Sequence, residues 1–142
     1  MRALLDVNVL IALLDSDHFH HQPAKRWLRD NIDPGWATCP LTENGCVRIM
    51  AQPTYPNRQS APLVAERLRR ATATAHHLFW PDTASLLSRD VVDWRKLIGP
   101  GQITDVYLLA LAVAHGGRFV TFDARIDSSA ILGAEDRHYC LI

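Results

Sequence analysis

The chain has no excess charge of either sign. Its 142 residues carry fifteen basic and fifteen acidic side chains, so the formal net charge is zero. Lysine is scarce, with only Lys25 and Lys96, and arginine supplies almost all of the positive charge. The balance argues against a protein that holds nucleic acid by bulk charge alone, but it does not exclude a local basic patch.

Cysteines and long apolar runs are also few. Cys39, Cys46 and Cys140 form no CxxC pair and suit a reducing cytoplasm, which is the location we expect. No apolar stretch is long enough for a membrane span, and Asp6 interrupts the first apolar run too early for a signal peptide. The sequence also lacks a GxGxxG motif, a Walker loop, a serine triad and a convincing catalytic cysteine.

Apolar residues make up 48% of the sequence, which is enough for the core of one domain spanning residues 1–142. Short apolar runs that predict strands alternate with longer runs that predict helices. This order predicts an α/β fold with a mostly parallel sheet of four to five strands and helices on both faces. The predicted strands are 2–5, 36–39, 77–80, 118–122 and 138–142, and the predicted helices are 9–14, 22–31, 43–51, 63–72, 83–97 and 105–115.

Four acids stand at equivalent ends of these elements. Asp6 and Asp123 follow predicted strands, whereas Glu43 and Asp105 open predicted helices. Ligands of open α/β sheets bind at the carboxyl ends of the strands, where the helix N-termini also begin. The four acids, although far apart in sequence, are therefore expected to converge on one edge of the sheet.

Converging carboxylates predict a bound cation. Two unit charges about 4 Å apart repel by roughly 4 kcal/mol at an effective dielectric near 20. A divalent cation removes that cost, and a set of carboxylate and water oxygens suits Mg²⁺, with Mn²⁺ as a substitute, better than zinc. Such an ion activates water and stabilises an oxyanion during phosphodiester cleavage.

Each polar residue also has a purely structural explanation. Asp105 follows Thr104 and Glu43 follows Thr42, and acids in the first turn of a helix stabilise its dipole. Asp123 fits an Asx turn, and Asn8 fits a helix N-cap. The occurrence of all four acids at equivalent ends of alternating elements favours the metal site over these separate explanations.

Four blocks together carry a resemblance to a known family. The blocks "LLDVNVLIALL", "LTENGCVRIM", "ITDVYLLALA" and "VTFDARI" span almost the whole chain in this order. They resemble the PIN-domain ribonucleases, most closely the VapC toxins of bacterial toxin–antitoxin pairs. The resemblance implies a PIN-like three-layer sandwich and endonucleolytic cleavage of RNA that depends on Mg²⁺.

The resemblance also implies roles for individual residues. Asp6, Glu43, Asp105 and Asp123 match the catalytic, metal-binding acids of the family. Asn8 matches a polar residue that orients the first acid, and Thr121 matches a small hydroxyl residue before the last acid. Arg48 matches an arginine common in members with the "TENG" block. Ile126 stands where many members have an aromatic residue, a difference that leaves the acids intact.

Partners follow from the same resemblance. We expect an antitoxin protein that covers the acids, a homodimer, and an RNA substrate, either tRNA or rRNA, whose cleavage stops translation. Because bulk charge is absent, phosphate contacts must be local. The candidates for RNA binding besides Arg48 are Arg58, Arg67, Arg69 and Arg70, which would otherwise be a solvated helix face or pair with Glu66.

Two other functions are open at this point. A phosphotransfer domain of the receiver or phosphatase kind also clusters acids, but it needs a lysine after a late strand, and neither lysine stands there. A PIN domain without activity would serve as a binding module, which the four intact acids disfavour.

The histidines at positions 18, 20 and 21 are expected to lie in a loop, and those at 76 and 77 to precede a strand.

Overall fold

The computed structural model describes residues 1–97 and 99–142, which form one sheet covered by helices. The strands are β1 (Ala3–Leu5), β2 (Trp36–Thr38), β3 (His77–Phe79), β4 (Arg118–Thr121) and β5 (Tyr139–Leu141). The helices are α1 (Val7–Leu14), α2 (His21–Asp30), α3 (Pro40–Ala51), α4 (Ala61–Thr72) and α5 (Ile103–Ala114). Within the described residues, no helix is both long and apolar enough to cross a membrane.

The sheet has the strand order β3-β2-β1-β4-β5, and every neighbouring pair of strands is parallel. The first strand in sequence therefore lies at the centre, with Leu5 beside Val120 of β4 and Leu4 beside Ala37 of β2. The predicted parallel α/β sheet is confirmed. Because all five strands run the same way, their carboxyl ends meet at one edge, as the convergence of the acids requires.

Apolar side chains of the sheet alternate between two separate cores. Leu5 and Val120 belong to a core shared with α1, α2, α3 and α4. Leu4 and Phe119 belong to a second core on the opposite face, shared with α5. The sheet is thus the middle of three layers, which confirms the predicted helices on both faces.

The predicted helix over residues 83–97 is wrong. This stretch consists of turns and irregular backbone, and its one helical piece is a 3₁₀ turn at Trp94–Lys96. The Asp93 carboxylate accepts a hydrogen bond from the backbone amide of Arg95, and the Ser85 hydroxyl accepts one from that of Leu87. Short polar side chains compete in this way with helical hydrogen bonds. Residue Val92 instead forms an antiparallel bridge with Ile131.

Three helices, predicted to begin at residues 9, 43 and 105, begin earlier. Helix α1 is capped by Asp6, not Asn8, because the Asp6 carboxylate accepts the Val7 amide at 2.6 Å. Helix α3 begins at Pro40 and α5 at Ile103, so Thr42 and Thr104 lie inside the first turns rather than before them. The side chain of Asn8 is thereby released from a capping role and becomes available for a contact with β4.

A close approach at the start of β4 provides a test of the packing. A Cβ added at Gly117 would lie 2.5 Å from the Trp80 ring and 2.7 Å from the backbone oxygen of Arg2. We expect Gly117→Ala to lower the free energy of unfolding by about 1–3 kcal/mol, because the backbone atom cannot yield without moving β1. Gly101→Ala is the control, since nothing lies within 4 Å of its added Cβ. Equal denaturation midpoints for the two variants in urea would contradict this packing.

Candidate active site

A chain of hydrogen bonds fixes Asp6 at the carboxyl edge of β1. The hydroxyl of the buried Thr121, at the end of β4, donates to Asp6 Oδ2 at 2.6 Å. The same hydroxyl accepts from the side-chain amide of Asn8 at 3.0 Å and from the backbone amide of Asp123 at 3.0 Å. Asn8 therefore orients Asp6 through Thr121 rather than by direct contact.

Three of the four predicted acids share one open cavity. Asp6, Asp105 and Asp123 line a cavity of about 450 Å³ at the carboxyl edge of the sheet. They arrive from three elements, since Asp6 follows β1, Asp105 lies in the first turn of α5, and Asp123 follows β4. Asn8, His18, Tyr55 and Arg125 line the same cavity.

The three carboxylates repel one another. Burial, followed by the charges of Asp6 and Asp123, raises the pKa of Asp105 from 3.8 to about 6. Burial also raises the pKa of Asp6, against the opposing effect of the hydrogen bonds from Thr121 and Val7. The site is thus electrostatically strained, and it favours a cation or a proton.

Arg125 supplies one cation to this cavity. Its Nε donates to Asp123 Oδ1 at 2.9 Å, and the backbone amide of Arg125 donates to the same oxygen at 2.9 Å. The side-chain and then the backbone hydrogen bonds lower the pKa of Asp123 to about 2. Arg125 also counteracts the rise in the pKa of Asp105. A guanidinium therefore occupies part of the charge-balancing role that a metal ion would fill.

The oxygen ligands that this cavity offers suit a hard divalent cation. Asp6, Asp105 and Asp123 offer only carboxylate oxygens, which Mg²⁺ and Mn²⁺ prefer. Their repulsion is the cost that such a cation removes, and the Arg125 contact shows that the site accepts positive charge. Among residues 1–97 and 99–142, however, no three His, Cys, Asp or Glu side chains already stand in an arrangement that could hold a metal ion.

Glu43 lies outside the shared cavity. The hydroxyl of the buried Thr38, at the end of β2, donates to Glu43 Oε1 at 2.6 Å and lies 2.8 Å from His77 Nε2. Glu43 lines a separate pocket together with Arg69. Glu43 is thus held by a strand-end threonine in the same way as Asp6, but on the β2 side of the edge.

Sequence reasoning missed several residues of this region. Thr38 has the same place on β2 that Thr121 has on β4, so the position at the end of a strand was the signal that could have found it. His77 begins β3, as the predicted strand 77–80 has it, but its contact with Thr38 was not predicted. His18 and Arg125 line the acid cavity, and only the folded chain brings them there.

The arginines proposed for RNA binding do not line the acid cavity. Arg69 and Arg70 on α4 both pair with Glu66, with an Nε–Oε1 distance of 3.0 Å for Arg70. Arg58 Nε donates to the backbone oxygen of Ala51 at 3.2 Å. Arg48 and Arg67 are exposed on α3 and α4. Of the five, only Arg69 lines a pocket that also contains one of the predicted acids, Glu43.

The pKa of Asp105 predicts how the stability of the metal-free protein depends on pH. Between about pH 4 and pH 6 the folded protein holds more protons on Asp105 than the unfolded chain, so the free energy of unfolding falls as pH rises through this window. In EDTA at pH 7, Asp105→Asn should be more stable than the wild type, because the substitution removes the repulsion from Asp6 and Asp123. Since Asp105 is partly exposed and solvent screens that repulsion, we expect a gain of about 1–2 kcal/mol in the free energy of unfolding. Below pH 4 the gain should vanish.

The control for this prediction is Asp90→Asn, which removes one carboxylate from an exposed position. Urea denaturation at several pH values provides the measurement. A loss of stability in Asp105→Asn at pH 7 would show that Asp105 stabilises the fold, for example as an acid at the start of α5.

Comparison with known proteins places the chain in a family. The PIN domain family matches residues 3–132. Ribonuclease VapC44 of Mycobacterium tuberculosis is 53% identical over 138 residues, which cover 97% of each chain. Ribonuclease VapC39 of the same organism is 43% identical over 134 residues, which cover 94% of this chain and 96% of that protein.

Solved structures agree in fold at low sequence identity. The structure of M. tuberculosis VapC20, described as a sarcin-ricin loop cleaving toxin, covers 93% of this chain and 98% of its own, with a TM-score of 0.60 and 16% identity. The structure of VapBC2 from Rickettsia felis, bound to a DNA fragment from its promoter, has a TM-score of 0.53 and 11% identity over 87% of this chain and 89% of its own. The chain belongs to the PIN domain family and, within it, to the ribonucleases of the VapC type.

Proposed function

We propose that this ribonuclease is the toxin of a toxin–antitoxin pair and cleaves structured RNA, either tRNA or rRNA, with Mg²⁺ or Mn²⁺ as its cofactor. Cleavage would stop translation when the antitoxin is released. The observation that supports this proposal most directly is the cavity in which Asp6, Asp105 and Asp123 meet at the carboxyl edge of the sheet. Use of a divalent metal is general among VapC-type PIN ribonucleases.

We assign the cation to Asp6, Asp105 and Asp123, with Glu43, which lines a separate pocket, as the fourth acid of the site. When bound, a divalent cation lowers the pKa of water and stabilises charge on a phosphoryl oxygen. Thr121 and Asn8 hold the Asp6 carboxylate in one orientation, and Thr38 does the same for Glu43. Preorganised carboxylates of this kind need no rearrangement when charge develops on the substrate.

An antitoxin is the expected protein partner, since the chain shares its fold with a toxin solved as a VapBC complex. The Arg125 guanidinium on Asp123 supports inhibition by an arginine, because the carboxylates accept such a group. A helix or extended tail of the antitoxin would deliver that arginine across the acids. We also propose a homodimer, for which exposed apolar side chains such as Phe79, Trp94 and Leu141 offer surface.

The first test is the dependence of cleavage on metal and on Asp105. The RNA target is found by sequencing 5′ ends after brief expression of the wild type, with cells expressing Asp105→Asn as the background. The purified protein should cut that RNA with Mg²⁺ or Mn²⁺ and stop in EDTA. Asp105→Asn should lower kcat by at least about a hundredfold, as loss of a charge-stabilising group in an active site typically does.

Asp90→Asn is again the matched control, since it removes the same charge from an exposed position and should cut RNA at the wild-type rate. Cleavage that continues at the same rate in excess chelator would contradict the metal-dependent mechanism. If RNA binds but is never cut, the chain is instead a PIN domain that has kept only a binding role.

The second test addresses the arginines of α4. Replacing Arg69 and Arg70 with alanine should weaken RNA binding and lower the log–log salt slope by about one unit or less for each lost phosphate contact. The cut position should not move, because phosphate contacts position RNA without reading its sequence. Binding is measured on the Asp105→Asn background, and Arg137→Ala removes a similar exposed ion pair as the control. An unchanged affinity and slope would mean that both arginines serve only to pair with Glu66.

A further inference from the structure

His18 lies in the loop between α1 and α2, at the rim of the acid cavity. It is half-buried and lines the same 450 Å³ cavity as Asp6, Asp105 and Asp123. Tyr55 reaches the cavity from the second loop, between α3 and α4. Two loops that are distant in sequence therefore contribute uncharged side chains to the cavity, whereas the strand ends and α5 contribute carboxylates.

One ring nitrogen of His18 is already engaged. The backbone amide of His20 donates to His18 Nδ1 at 3.0 Å. A nitrogen that accepts a hydrogen bond carries no proton, so the neutral ring has its proton on Nε2. Burial, together with the nearby His20 and His21, lowers the pKa of His18 against the opposing effect of Asp15, which favours this neutral form.

A buried carboxylate ties the two loops together. Asp15 is 4% exposed and accepts from the Tyr55 hydroxyl, from Asn57 Nδ2 at 2.8 Å and from the Asp17 amide at 3.0 Å. Its backbone oxygen accepts the His18 amide at 3.1 Å. These contacts span both loops, so the position of His18 relative to the acids is set before any ligand arrives.

A ring stack fastens the other end of the loop between α1 and α2. The His20 ring lies 4.3 Å from the Phe122 ring at an interplanar angle of 20°. Phe122 directly precedes Asp123, so the loop is fastened to the segment that carries one of the acids. The stack fastens the His20 end of the loop, whereas the position of His18 itself is set by backbone contacts to Asp15 and His20.

A phosphate that enters an acidic cavity needs hydrogen-bond donors as well as a cation. The other donors of the cavity wall each have a partner for at least one N–H or O–H: Thr121 for the Asn8 amide, Asp15 for the Tyr55 hydroxyl, and Asp123 for Arg125. Within the described residues, the ring of His18 makes no hydrogen bond other than the one at Nδ1. Its Nε2–H is therefore a neutral, unpaired donor at the cavity, in addition to the N–H groups that Arg125 and Asn8 leave unused.

We propose that His18 Nε2–H donates a hydrogen bond to a phosphate oxygen of the RNA bound in the acid cavity, and so forms a phosphate subsite beside the cleavage site. The subsite rests on the proposed function. It acts by binding and not by proton transfer, because Nδ1 is blocked and Nε2 already carries its proton. The neutral ring adds a donor without adding a charge that would compete with the metal.

The first experiment uses a small probe, adenosine 3′,5′-bisphosphate, which carries both phosphates of one ribonucleotide. Titration of the wild type should shift the Nε2 resonance of His18 in long-range ¹H–¹⁵N NMR spectra, with a much smaller change at His20. His18→Ala should weaken binding of the probe about tenfold or more, as loss of a hydrogen bond to a charged group does. His18→Gln, which keeps a side-chain N–H, should recover most of the affinity.

His20→Ala is the matched control in the same loop, since it removes the stack on Phe122 but keeps the backbone amide that engages His18. Melting temperatures of all variants are compared first. If His20→Ala weakens binding as much as His18→Ala, or if the Nε2 resonance does not move, the subsite is overturned.

The second experiment uses the RNA identified by 5′-end sequencing. His18→Ala should raise KM more than it lowers kcat, because the contact is present in both the bound and the reacting state. A fall in kcat with unchanged KM would overturn the binding role. If Asp105→Asn abolishes cleavage and His18→Ala has no effect on KM or kcat, only this inference fails. If no RNA is cut but the bisphosphate binds through His18, the proposed function fails and the subsite remains.

Discussion

The hydrogen bond from Thr121 to Asp6 joins the two central strands at the edge where the acids gather. The bond is short and buried, and the same hydroxyl also accepts hydrogen bonds from the Asn8 side chain and the Asp123 amide. Without it, Asp6 would be a buried carboxylate whose remaining partner is the first amide of α1. This one contact therefore sets the positions of Asp6 after β1 and of Asp123 after β4 relative to each other.

A second contact of the same kind lies on the other side of β1. Thr38 ends β2 as Thr121 ends β4, and each threonine hydroxyl donates to an acid at 2.6 Å. The two acids differ in the cavity that they line. Thr121 holds Asp6 at the cavity that Asp105 and Asp123 share, whereas Thr38 holds Glu43 at a separate pocket. The same kind of threonine hydrogen bond thus holds one acid of the three-acid cavity and the fourth acid outside it.

The sheet and the acids were predictable from the sequence, because both depend on simple patterns. Short apolar runs mark the five strands, and a single acid after such a run marks the carboxyl ends of β1 and β4. The prediction for residues 83–97 failed because serine and aspartate side chains capture backbone amides that a helix would need. The place of His18 could not be predicted, because the cavity that it lines joins elements that lie far apart in the chain.

The tie between the two loops has a consequence for how such proteins diversify. Asp15 joins them through its side chain, and neither loop contributes a strand to the sheet that carries the acids. Insertions or substitutions in the loops can therefore change the shape of the cavity wall while the strand ends, and the chemistry they position, stay as they are. A descendant could acquire a different target by altering the loops as a joined unit, at little cost to the stability of the sheet.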